Sequence, residues 1–215
     1  MEYPVYPWPA AADWRNFSDP AWASAVYARV DHFRPESVSN YPEVRVQLVY
    51  DSAGFYGRFD VRDRFVRCTQ TQFNSLVCRD SCVEFFVQPG GAGPYMNFEW
   101  NACGVLHASR VRLPRQDVSL LSESEGRRIQ VCTSLSQCPV EEVEGPLPWI
   151  LAFYLPFDLF PCDVPKGGDR WRGNFFKCGD DTSHPHWAAW APVPRLDFHD
   201  PEAFGTLLFQ PDNRS

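Results

Sequence analysis

Apolar residues recur at every second position through much of this chain. Val44, Val46, Leu48 and Tyr50 share one parity, and Phe55, Gly57, Phe59 and Val61 share another. A period of two marks a strand with one buried face. Between the two runs, Asp51-Ser52-Ala53-Gly54 supplies turn residues, so the pair predicts a hairpin. Similar patterns predict strands over 26–33, 80–89, 95–101, 104–111, 128–135, 149–155, 171–177 and 205–210, with a short helix over 20–25. The Gly-rich run 90–94 reads as a turn, and 114–126 and 137–148 read as polar loops. The first 20 residues are expected to lie extended along the domain. Twenty prolines, many beside predicted strand ends, exclude long helices. With no internal repeat and no linker, the pattern predicts one all-β domain over 1–215. Its architecture is an antiparallel β-sandwich, jelly-roll-like in form.

The segment Asp80-Ser81-Cys82-Val83-Glu84-Phe85-Phe86-Val87-Gln88-Pro89 stands out. Alternation turns Val83, Phe85 and Val87 one way and Cys82, Glu84 and Phe86 the other. A carboxylate within so apolar a run is costly to bury unless it is partnered. Glu84 is therefore expected on a concave, ligand-facing sheet surface or in a structural hydrogen bond. Asn97-Phe98-Glu99-Trp100-Asn101 repeats the arrangement, with Phe98 and Trp100 behind and Asn97, Glu99 and Asn101 in front. Two adjacent strands with polar faces and aromatic backing predict recognition.

The net charge of −7, with only 20 scattered Lys and Arg, argues against nucleic acid and anionic membranes as partners. The N-terminal residues show no signal-peptide pattern, and no apolar run reaches membrane-spanning length. The expected location is cytoplasmic, or secreted if a leader has been removed. Eight cysteines without a Cys-x-x-Cys pair lack the usual zinc and redox signatures. Several sit at strand-alternation positions, where thiols behave as small apolar groups, so free cysteines in a reducing compartment are expected.

Five segments belong together: the 80–86 strand, Phe98-Glu99-Trp100-Asn101, the core-strand segment Gly173 to Asp180, Trp190-Ala191-Pro192, and Phe198-His199-Asp200-Pro201-Glu202-Ala203-Phe204-Gly205. In their order and spacing they resemble the family 9 carbohydrate-binding modules, their stand-alone bacterial relatives and the wider DOMON-like group. The resemblance implies an antiparallel β-sandwich that binds saccharides without catalysis. In such modules a sugar end lies between two Trp rings and is held by Glu, Asn, Gln and Arg side chains. Glu84 and Asn101 match the acidic and amide positions. Phe198 stands at one Trp position, Cys78 at the other, and Glu99 replaces the Arg. The expected ligand-binding set is Glu84, Asn101 and Lys177 for hydroxyls, Trp190 and Phe198 for stacking, and His186 and His199 at the border.

Other chemistries remain open. His184, His186 and His199 have the residue types of a metal-dependent or hydrolytic enzyme site. Glu84 and Glu99 could form a glycosidase-type carboxylate pair. The fold could also persist as an interaction domain whose sugar site has decayed. No cofactor is expected. Calcium at Asp180-Asp181 or at Asp197 and Asp200, zinc at the histidines, and haem held through Met96 and Lys177 are the weaker alternatives. The sugar's identity and the oligomeric state are not encoded in any motif.

Overall fold

The computed structural model describes residues 1–138 and 141–212. Its strands in chain order are β1 (Glu2–Pro7), β2 (Ala28–Arg29), β3 (His32–Phe33), β4 (Glu43–Tyr50), β5 (Gly54–Val66), β6 (Cys82–Gln88) and β7 (Tyr95–Asn101). They continue with β8 (Leu106–Leu113), β9 (Asp117–Leu120), β10 (Gln130–Thr133), β11 (Val143–Pro156), β12 (Arg170–Cys178), β13 (Trp187–Ala189) and β14 (Gly205–Phe209). Helical structure among the described residues is confined to single turns, including the expected one at Pro20–Ser24, capped by Asp19.

The strands run in the order β10-β11-β5-β4-β1-β14-β12-β6-β7-β8-β9, and the sheet curls so that its two halves face each other as a β-sandwich. Strand β1 stitches the halves together, pairing with β14 on one side and β4 on the other. Both pairings are parallel, a departure from the all-antiparallel expectation. No hairpin joins β1 to β4 or β14, so nothing forces it to run antiparallel to these neighbours.

The core lies between the halves. Phe55 and Phe59 from β5 and Leu151 and Phe153 from β11 meet Phe85 from β6, Phe98 and Trp100 from β7, and Phe175 from β12. The rings of Phe85 and Phe175 stack at 5.1 Å, and those of Trp100 and Phe153 at 4.7 Å. Gly57 sits directly against the Phe153 ring, and a Cβ at this position would overlap it.

Some local expectations change. The predicted strand 26–33 breaks into β2 and β3, which join different halves. The expected loop 114–126 holds β9 and a one-turn helix, Glu123–Gly126, closed by a Ser122/Glu125 capping box. The expected loop 137–148 is partly the start of β11, and its residues 139–140 lie outside the described residues. Cys103 and Cys138 form a disulfide with Cα atoms 5.6 Å apart, and the other six cysteines are free. The expectation of free thiols throughout is thus corrected at one pair, which the fold brings within bridging distance. No helix among the described residues is long and apolar enough to cross a membrane.

One polar cluster is built into the interior. Lys177 shares the inward parity of Phe175 on β12, and its Nζ lies 3.1 Å from Asp63 Oδ2 on β5. The same ammonium approaches His186 Nε2 at 2.7 Å and donates to the Cys178 carbonyl at 2.9 Å. Asn40 donates to the other Asp63 oxygen at 2.9 Å. Burial opposes ionisation of Asp63, but the Lys177 charge beside it holds the carboxyl below its usual range. Removing one partner of such a pair strands the other charge and typically destabilises by about 3–5 kcal/mol. Lys177→Met is expected to lower stability by that amount in equilibrium denaturation, and adding Asp63→Leu should recover part of the loss. An unchanged midpoint in the single variant would show that the pair is not formed.

Candidate functional site

The outward face of β6, β7 and β12 carries Cys82, Glu84 and Phe86, then Asn97, Glu99 and Asn101, then Asn174, Phe176 and Cys178. Register places Glu84 opposite Glu99 on one side and Phe176 on the other, and Cys82 opposite Asn101 and Cys178. The segment after β13 crosses part of this face, where Val193 and Phe204 pack with Phe86, Tyr95 and Phe176. Over the two glutamates the cover is incomplete. A hollow of about 330 Å³ remains, floored by Glu84, Glu99 and Cys178 and walled by Cys78, Asp180, Trp187, Phe198 and His199, with Arg115 and Asp197 also at its lining. Glu84 and Glu99 are only 3% and 7% exposed, so they meet this space as a recessed floor.

Each wall residue has an identifiable support. Phe198 lies flat on Phe176, with centroids 4.1 Å apart and planes at 15°. Trp187 donates its indole N–H to Asp180 Oδ1 at 2.7 Å. His199 Nδ1 is 2.8 Å from the Tyr95 hydroxyl. Arg115 Nη2 donates to Asp197 Oδ1 at 2.8 Å, tying the β8–β9 turn to the C-terminal segment. On the floor, the Cys178 thiol lies 3.1 Å from Glu84 Oε1, and Asn97 donates to Glu99 Oε1 at 2.7 Å.

Electrostatics follow from burial and crowding. Burial, then the neighbouring Glu99, pushes the Glu84 carboxyl well above its usual range. Burial raises Glu99 to about 8. Burial also raises Asp180. With its value near 8, Glu99 retains a proton near neutral pH, so its carboxyl both donates and accepts hydrogen bonds, as paired hydroxyls require.

The expected site residues divide. Glu84, Phe198 and His199 come together at the hollow. Asn101 shares the outward face but is fully buried. Its amide donates to Gln70 O and Asp80 Oδ2, both at 2.9 Å, and its Oδ1 accepts from Cys103 and Val105 N–H. It holds a loop and has no polar atom to spare. Lys177 and His186 lie on the opposite side of the sheet, in the interior cluster with Asp63. Trp190 is buried against Tyr3 and Phe175. Four of the seven expected ligand contacts, Asn101, Lys177, His186 and Trp190, thus lie away from the hollow. Residue parity puts Lys177 inward, and the side chains around Asn101 and Trp190 occupy the rest.

The three histidines do not converge either. His184 stacks on Phe65 at 3.9 Å, His186 is interior, and His199 is in the hollow. Met96 is packed in the core and Lys177 is engaged by Asp63, so neither presents a ligand to open space. Asp197 is taken up by Arg115 and the His199 N–H, and Asp200 caps the turn Pro201–Ala203. Sequence reasoning missed Arg115 and Trp187 as lining residues. Trp187 was visible as the aromatic after His186, but Pro185 made the segment read as a loop.

A curled all-β sandwich with a recessed, polar and ring-walled hollow on one face defines a recognition module. The sequence profile of carbohydrate-binding family 9 matches residues 21–209, and the chain belongs to that family. Its function is non-catalytic carbohydrate binding. Among solved structures, one from Bacteroides uniformis, described as a candidate carbohydrate-binding protein, superposes with a TM-score of 0.88 at 28% identity, covering 98% of this chain and 99% of that one. A family 9 module from Caldicellulosiruptor kristjanssonii in complex with glucose gives a TM-score of 0.62 at 13% identity, covering 100% and 98%. A module of the same organism in complex with cellotriose gives 0.59 at 14%, covering 100% and 97%. A comparison with curated protein sequences finds no match.

The hollow also dictates a pH response. Burial, reinforced by Arg115, lowers His199 to about 4, from an ordinary value of 6.5. The unfolded chain then binds more protons than the folded one between these values, so stability rises with pH across the window. The contribution is complete above about pH 6.5 and is lost as pH falls toward about 4. His199→Gln should flatten the stability profile between those limits, measured by denaturation at stepped pH. An identical slope in both proteins would place the His199 pKa near its ordinary value.

Proposed function

We propose that the hollow over Glu84 and Glu99 is the saccharide site, and that its ligand is the end of a neutral pyranose chain. The observation that carries this is the pairing of recessed carboxyls with ring walls: Glu84, Glu99 and Asp180 beside Phe198 and Trp187. Sugar hydroxyls need donors and acceptors in pairs, while the C–H face of a pyranose packs on an aromatic plane. The volume of about 330 Å³ suits one or two sugar rings, at the lower end of the range of about 300–1,000 Å³ for small-ligand sites. Phe198, firmly backed by Phe176, serves as one stacking wall. Trp187, packed in the same apolar patch as Cys78, supplies the second ring that Cys78 itself lacks. The glucose and cellotriose complexes of the Caldicellulosiruptor modules support a neutral, glucose-type ligand. Arg115, the cationic lining residue, is already bonded to Asp197, which weighs against an acidic sugar.

Trp187 lines the hollow, so titration with glucose and cellotriose should change the Trp fluorescence, and a glycan array extends the search to other sugars. Each buried hydrogen bond lost leaves an unpaired group worth about 1–3 kcal/mol, or roughly tenfold to a hundredfold in affinity. Glu84→Ala should weaken binding by about that much, and Phe198→Ala, which removes a stacking wall, should weaken it as well. Wild-type affinity in both variants, or a blank array with the native protein, would overturn the assignment.

A further inference from the structure

Beside Glu84, at the floor of the hollow, lie two thiols that saccharide binding does not require. Cys82 and Cys178 face each other across the β6–β12 ladder, and Glu84 lies two residues beyond Cys82 on the same side of the sheet. Glu84 Oε1 is 3.1 Å from Cys178 Sγ and 4.0 Å from Cys82 Sγ, and the three atoms all lie within 4.8 Å of one another. Donors bound to one tetrahedral zinc at about 2.3 Å for sulfur and about 2.0–2.2 Å for oxygen are separated by about 3.5–3.8 Å. The two Glu84–sulfur spacings bracket that value.

We infer that Cys82, Cys178 and Glu84 form a binding site for a thiophilic divalent cation, zinc above all, with its fourth position open to the hollow. Two thiolates and a carboxylate on neighbouring strands are a rigid, soft donor set that selects zinc over calcium or magnesium. The surroundings are rich in carboxyl groups. Glu99 and Asp180 sit beside Glu84, and Arg115, the cationic lining residue, is occupied by Asp197. Among the described residues, the side-chain hydrogen bonds to Glu84 come from the two thiols. Cys78 lines the same hollow and its carbonyl lies 3.7 Å from Cys178 Sγ, so water, the Cys78 thiol or a ligand oxygen can reach the open position. This inference does not rest on the saccharide assignment.

The test uses the whole folded chain, reduced, stripped with chelator and free of saccharide. Zinc should bind at one equivalent, and cobalt in its place should give a thiolate-to-cobalt charge-transfer band with tetrahedral visible absorption. Cys82→Ser and Cys178→Ser should each cut the band per bound cobalt to about half or less and weaken zinc by more than about tenfold. Glu84→Gln should keep the band but lose affinity, and Cys68→Ser and Cys162→Ser should behave as wild type. Circular dichroism of each variant checks folding, and the wild-type cobalt spectrum does not depend on any variant. Absence of that band in the wild-type protein would overturn the inference. So would its survival at full intensity in both the Cys82→Ser and Cys178→Ser variants, or a Cys82–Cys178 disulfide in the native protein.

Discussion

The register that holds β6 between β12 and β7 fixes what both faces of this sheet can be. Glu84 is set against Glu99 and Phe176, while Val83, one residue away, is set against Trp100 and Lys177. Because side chains alternate, a slip of one residue would drive Glu84 and Cys82 into the core and expose Phe85. The inner row of Phe85, Phe98, Trp100 and Phe175 makes such a slip prohibitively unfavourable. The recessed carboxyls of the hollow therefore follow from how tightly the opposite face is packed.

The hollow stays open because the outer cover is stapled at some points and absent at others. Phe204 and Val193 close the outward face over Phe86 and Phe176. Arg115 and Asp197 then tie the β8–β9 turn to the crossing segment, and the Tyr95 hydroxyl holds His199. These contacts ring Glu84 and Glu99 without covering them. Beneath the sheet, the Lys177–Asp63 pair locks β12 of one half to β5 of the other. A buried pair of this kind contributes little net stability but penalises alternative packings, because any other arrangement strands a charge.

Strand existence and side-chain parity were legible in the sequence wherever one face is apolar. The β4–β5 hairpin, β6, β7 and β14 all follow from alternation and turn residues. Lys177 was misassigned although its own parity was available. Trp171, Gly173, Phe175 and Lys177 alternate together, so a core Phe175 implies an inward Lys177, and only its charge suggested otherwise. Strand β9 was hidden because Val118 and Leu120 are exposed and carry no buried face. The start of β11 was hidden by Pro146 and Pro148 and by the irregular register between Glu144 and Leu147. The Cys103–Cys138 link depends on long-range folding that spacing alone does not express. Of the hollow, Glu84, Phe198 and His199 could be anticipated, while Trp187 depended on the three-residue strand β13 and Arg115 on the placement of a turn.

The floor and rim of the hollow come from different parts of the chain, and that separation has consequences. Glu84, Glu99 and Cys178 sit on three neighbouring strands whose positions are dictated by the core behind them. Trp187, Phe198, His199 and Asp197 belong to β13 and the crossing segment, which pack on the outside. A residue at the rim can change in size while the floor keeps its spacing, because the ladder between β6 and β12 does not pass through it. Conversely, the floor tolerates little change, since Cys82 and Cys178 fill the space between Val77 and the sheet in a small apolar cluster. In this geometry the shape selectivity for a ligand resides in loops and a short edge strand. The chemical character of the site, acidic and sulfur-lined, resides in the most rigid strands of the molecule.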